Sequence, residues 1–160
     1  MGKMIEFDGY GNPKPYELIE MEMADFKTVF VDRFQNSQTR QTIFEKYNQF
    51  ITDFRTEIVQ EFKNWVNGSY TTIKENPNDI DIVSLVMYSD DLNTKYHLLK
   101  KFLTEGGSKK QYLVDGYFIP LYPENDPRYT ITQYWINYWT NWFGMDRQGR
   151  PKGIIQLSFS

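Results

Sequence analysis

Ile43, Tyr47, Phe50, Phe54, Ile58 and Phe62 recur at intervals of three and four, the spacing that gathers side chains on one face of an α-helix. Ser37 stands where a cap would open this run, so the pattern predicts a long helix reaching about Lys63. Met23 to Val31 predicts a shorter helix before it. Trp65 to Asn67 then predicts a short strand that ends at a Gly68-Ser69 turn, followed by a polar connection from Tyr70 to Asn78. Asp79 to Tyr88 predicts a strand whose centre (Ile82, Val83, Leu85, Val86) is apolar enough for burial on both faces. Leu92 to Leu103 has an amphipathic helical pattern through Tyr96, Leu99 and Phe102, stopped at Gly106-Gly107. Gln111 to Leu121 predicts a second long strand, with Asp115 in its middle, and Pro123 to Arg128 a loop. Trp135, Tyr138 and Trp142 sit at helical spacing within Ile131 to Phe143. A charged turn, Asp146 to Lys152, precedes a last strand from Gly153 to Phe159.

Residues 1–20 hold Gly9, Gly11, Pro13 and Pro15 and read as an irregular lead-in. Residues 21–160 then form one domain: helices first, then strand, strand, helix, strand, helix, strand. This order predicts an α+β (mixed α/β) fold with a small mixed sheet flanked by helices.

Composition narrows the class. A chain of 160 residues with 18% aromatics can bury a substantial core. The net charge of −3 makes no general case for nucleic-acid binding, although a local basic patch is compatible with it. Cysteine is absent, which excludes disulfides and thiolate metal sites. No apolar run has the length of a membrane span and Met1 to Lys14 has no signal core, so a cytoplasmic protein without membrane contact is expected.

The chemistry concentrates at Asn67-Gly68-Ser69 and, after nine intervening residues, Asp79-Ile80-Asp81. Glycine lets backbone amides approach an anion, and Ser69 adds a hydroxyl. Asp79 and Asp81 alternate about Ile80, so on a strand both carboxylates share a face and can hold Mg²⁺ (or Mn²⁺) beside a nucleoside triphosphate. Asp115 lies in an apolar and aromatic strand, where a carboxylate is costly unless paired or bound to metal. If the two strands are neighbours, three carboxylates converge and a divalent cation relieves their repulsion.

Gly68, Ser69, Asp79, Asp81 and Asp115 together resemble the signature of the polymerase-beta-like nucleotidyltransferase superfamily. Asn67 to Lys74, Asn76 to Asp81, Asp115 to Pro120, Tyr122-Pro123 and Trp142 to Gly153 look like a group of short uncharacterised bacterial nucleotidyltransferase-like proteins. The resemblance implies the polymerase-beta-like fold, with Gly68 and Ser69 holding the triphosphate and Asp79 and Asp81 bridging two Mg²⁺ ions. It implies that Asp115 completes a metal site and helps deprotonate an acceptor hydroxyl. The implied reaction is nucleoside monophosphate transfer from an NTP to a hydroxyl of RNA (tRNA included) or of a protein, in a toxin–antitoxin or antiviral defence setting.

Other residues carry two readings. Lys74 can touch phosphate or be an exposed loop lysine. Arg147, Arg150 and Lys152 can hold a triphosphate or nucleic-acid backbone, or form a solvated turn. Tyr134, Trp135, Tyr138, Trp139 and Trp142 can stack a base, but covering the sheet as ordinary core is the expected role. His97, the one histidine, is expected to be structural or exposed. The chain lacks room for a large acceptor-binding domain, so a protein partner or a second copy is expected to supply recognition. The alternative to an enzyme is a catalytically idle nucleotide-sensing or scaffold subunit.

Overall fold

The computed structural model describes residues 4–160, and two sheets organise them. β1 (Glu6–Phe7) and β2 (Pro13–Lys14) form a small antiparallel pair. The main sheet comprises β3 (Leu18–Glu20), β4 (Phe62–Asn67), β5 (Ile80–Met87), β6 (Val114–Leu121) and β7 (Ile154–Phe159), in the order β3-β7-β4-β5-β6. The β3–β7 and β5–β6 pairs are parallel, whereas β4 runs antiparallel to both β5 and β7. This is the mixed α+β fold expected. The lead-in is not irregular as predicted, because it contributes β1, β2 and the edge strand β3. Gly9, Gly11 and Pro15 fall in the turns between these strands, and Ile19 adds a buried apolar side chain to the core.

The sheet is covered on both faces. On one side lie α1 (Met23–Lys27), continued by a π-helical turn at Thr28–Asp32, and α2 (Arg40–Glu57). Phe26, Phe30, Ile43, Tyr47, Phe50 and Phe54 meet Val66, Ile82, Val86 and Ile155 there. On the other side α6 (Tyr129–Phe143) lays Trp139 and Phe143 over Trp65, Val83, Leu85 and Ile119. No helix among the described residues is long and apolar enough to cross a membrane.

α2 begins as the pattern foretold, with the Ser37 hydroxyl accepting from the amides of Thr39 and Arg40 at 3.3 and 3.1 Å. It ends sooner than Lys63. Phe62 keeps the helical spacing but belongs to β4, where it pairs with Phe159 and stacks on its ring at 4.8 Å. Ladder pairing and burial outweigh a local preference at a helix end.

The amphipathic helix predicted over Leu92 to Leu103 is broken into α3 (Asp90–Thr94), α4 (Tyr96–Leu99) and two 3₁₀ turns at Lys100–Phe102 and Thr104–Gly106. The breaks let Phe102 enter between Phe50, Phe54 and Tyr112 with ring centroids 5.1 to 5.9 Å apart. Gln111 and Tyr112 are likewise not strand but the end of α5 (Ser108–Tyr112). Leu113, at φ 56°, turns the chain into β6. Gly116 then passes so close to the Phe102 carbonyl that a Cβ would sit 2.1 Å from its oxygen.

Candidate functional site

β4 and β5 place the glycine turn against the acidic pair. Asn67 is opposite Asp81 in the antiparallel ladder. Its buried side chain donates to the Phe143 carbonyl at 3.1 Å, tying the strand end to α6. Gly68 follows at φ 80°, and a Cβ there would lie 2.7 Å from an Asp81 carboxylate oxygen. The position needs glycine twice over, for its backbone angle and for its space. Ser69 opens the 3₁₀ turn Ser69–Thr71, and its carbonyl accepts from the Thr72 hydroxyl at 2.7 Å.

β5 and β6 bring the third acid alongside. Asp81 and Asp115 are direct partners in the parallel ladder, so their side chains share a face of the sheet. Val83, two residues beyond Asp81, packs under α6, which identifies that face as the α6 side. Burial, then the charges of Asp115 and Asp79, push the Asp81 carboxyl up to about 6. Two lysines answer these three carboxylates. Lys109 on α5 reaches Asp79 at 3.2 Å. Lys152 is buried, which pulls its ammonium down to about 8 against the opposing pull of Asp81. It donates to the Gly68 carbonyl at 2.8 Å, fixing the glycine turn from below. The Thr104 hydroxyl donates to Asp115, and burial followed by Asp115 raises the Tyr117 phenol beside it.

Three carboxylates here face two lysines, and the charges of Asp115 and Asp79 both make ionisation of Asp81 costlier. Among the described residues, no three acidic or histidine side chains are grouped so as to hold one metal ion. Asp79 turns to Lys109 and Asp115 to Thr104 instead.

The family match covers the same ground. The chain belongs to DUF6932, a family of unknown function. Residues 5–158 match, so β1 to β6, all of β7 but Phe159, and all the site residues lie within the family region. No curated protein and no solved structure matches.

Of the residues expected at the site, the structure gathers Gly68, Ser69, Asp79, Asp81, Asp115 and Lys152. Lys152 stands as a buried strut beneath the turn and not as an exposed phosphate contact. Lys74 and Arg147 are exposed, and among the described residues neither is bonded to the acids. Lys74 gives its carbonyl to Arg40 at 2.6 Å. Arg147 rides on a turn closed by Asp146, which accepts from the amides of Gln148 and Arg150. Arg150 is paired with Asp146 at 2.7 Å and stacks over Tyr10 at 4.1 Å. His97 is exposed, as expected.

The aromatic cluster divides. Trp139 and Phe143 cover the sheet as core, but Tyr134, Trp135, Tyr138 and Trp142 are exposed, which corrects the expectation of ordinary core. α6 has more aromatic residues than one face can bury, and none of its 15 residues is charged.

Four residues went unforeseen: Lys109, Thr104, Tyr117 and Arg40. Lys109 and Lys110 are indistinguishable as a sequence pair until α5 aims one of them at Asp79. Arg40 supports the loop after Ser69. Its guanidinium, 1% exposed, donates to the carbonyls of Phe30, Tyr70, Thr72 and Lys74 at 2.6 to 2.8 Å. The ring of Phe34 lies 3.7 Å from it.

Proposed function

We propose that this protein is a metal-dependent nucleotidyltransferase, moving a nucleoside monophosphate from an NTP to a hydroxyl of RNA or of a protein. The observation that carries this reading is the ladder pairing of Asp81 with Asp115 beside the Gly68 turn. Asp79 adds a third charge that Asp81 feels. Asp79, Asp81 and Asp115 would hold Mg²⁺ or Mn²⁺, which when bound would neutralise charge on the transferring phosphoryl group. Gly68 lets the turn close against the Asp81 carboxylate, and the Ser69 hydroxyl beside it is available to a phosphate oxygen. Lys152 keeps the turn in place through the Gly68 carbonyl. Asp115 is suited to take the acceptor hydroxyl's proton as its oxygen bonds to the α-phosphorus and the bond to pyrophosphate breaks.

The second reading is a nucleotide-sensing or scaffold subunit, favoured by the exposed, uncharged aromatic face of α6. Such a face has the composition of a protein interface core. Incubation with each labelled NTP, Mg²⁺ or Mn²⁺ and cell extract separates the two. Label in RNA or in a protein band with the wild type, lost in Asp81→Asn, is the expected result for an enzyme. No transfer by the wild type under any NTP and metal would leave the scaffold.

A further inference from the structure

Among the described residues, Lys109 is the cation paired with Asp79. Its ammonium is 3.2 Å from Asp79, and it lies within the fields of Asp115 and Asp81 as well. The lysine itself is more than half exposed, on a five-residue helix between Gly107 at φ 95° and Leu113 at φ 56°. It is therefore not a structural ion pair of the core. Asp79 is the residue just before β5, two positions ahead of Asp81.

We infer that Lys109 acts as a resident cation, neutralising Asp79 while the site is empty and exchanging that carboxylate for a polyphosphate oxygen when metal and nucleotide enter. This deepens the nucleotidyltransferase reading and rests on it. An ammonium at Asp79 competes with a divalent ion for the same lone pairs. Once a cation takes the carboxylate, the freed lysine stands beside the incoming anion as a flexible point charge, a role lysine fills at phosphates. The two effects of removing it have opposite signs. The bare metal should bind better, and the polyphosphate worse.

The test uses the full chain, with Mn²⁺ alone as one probe and inorganic tripolyphosphate at saturating Mg²⁺ as the other. Wild type, Lys109→Met, Lys110→Met and Asp81→Asn are compared by calorimetry. Lys109→Met should bind Mn²⁺ about tenfold more tightly and tripolyphosphate about tenfold more weakly. Lys110→Met, a neighbouring exposed lysine, should match the wild type in both. Mn²⁺ binding that Asp81→Asn abolishes but Lys109→Met leaves unchanged overturns the role of Lys109 and leaves the metal site standing. Tighter Mn²⁺ with unchanged tripolyphosphate binding also overturns it, because relief of charge alone accounts for that result. Equal weakening of tripolyphosphate by Lys110→Met overturns it as a general charge effect. No Mn²⁺ binding sensitive to Asp81→Asn in any variant overturns both this inference and the metal reading beneath it.

Discussion

Lys152 and Asp81 meet on either side of the Gly68 turn. The lysine donates to the Gly68 carbonyl at 2.8 Å, and the aspartate occupies the space a Gly68 side chain would need. Each buried charge lowers the other's cost: Lys152 draws the Asp81 carboxyl down, and Asp81 draws the Lys152 ammonium up. Lys152→Met removes both the strut and the compensating charge. The Asp81 carboxyl should then titrate above about 6, and the Gly68 and Ser69 amides should exchange faster. Carboxylate NMR titration and hydrogen exchange check this.

Asp81→Asn should separate stability from activity. The folded protein holds the Asp81 proton up to about 6, against 3.8 for a free side chain. Between these values the folded state binds more protons than the unfolded one, so this group's contribution falls as pH rises through the window. Above it the penalty is full, on the order of 2–3 kcal/mol. The metal-free variant should therefore melt higher than wild type at pH 7, by roughly 3–8 °C. The difference should shrink as pH falls toward 4, which thermal melts across pH would show. Nucleotide transfer should drop by about 100-fold or more, and stabilisation by Mg²⁺ with NTP should vanish.

Gly68→Val should fail both locally and chemically. A β-branched residue at φ 80° is strained, and its Cβ would meet the Asp81 carboxylate. A loss of roughly 1–3 kcal/mol is expected, with nucleotide binding reduced further than stability accounts for. Denaturant titration beside nucleotide titration distinguishes the two losses.

Arg40→Met should be the most damaging of these changes. It would leave four carbonyls without their donor, three of them in the loop after Ser69. The expected cost is about 3–5 kcal/mol, and Arg40→Lys should not rescue it because one ammonium cannot span the four acceptors. Chemical unfolding measures both variants.

Trp142→Ala and Tyr134→Ala should both leave the fold intact and affect recognition alone. These side chains are 64% and 62% exposed, so stability should change by no more than about 0.5 kcal/mol. Metal and nucleotide binding should be unchanged, while acceptor or partner capture from extract should weaken. Unaltered capture with both would show that this face is not the recognition surface.

The periodic and alternating stretches were legible in the chain because their signals are local. The three-and-four spacing of Ile43 to Phe54 defined α2, and the alternation about Ile80 placed Asp79 and Asp81 together. The run around Asp115 marked a strand with a carboxylate out of keeping. Tertiary structure decided where these pieces met. Parallel pairing of β5 with β6 set Asp81 opposite Asp115, and a register shift of one residue would have turned one of them to the other face. The return of the chain after α6 put Lys152 beneath Gly68, a bond between residues distant in sequence that no local pattern encodes. Phe62 and Tyr112 changed from their predicted elements because burial against distant rings outweighed local preference. The outward face of α6 was decided in the same way: the sheet has room for Trp139 and Phe143, and Tyr134, Trp135, Tyr138 and Trp142 are left facing solvent.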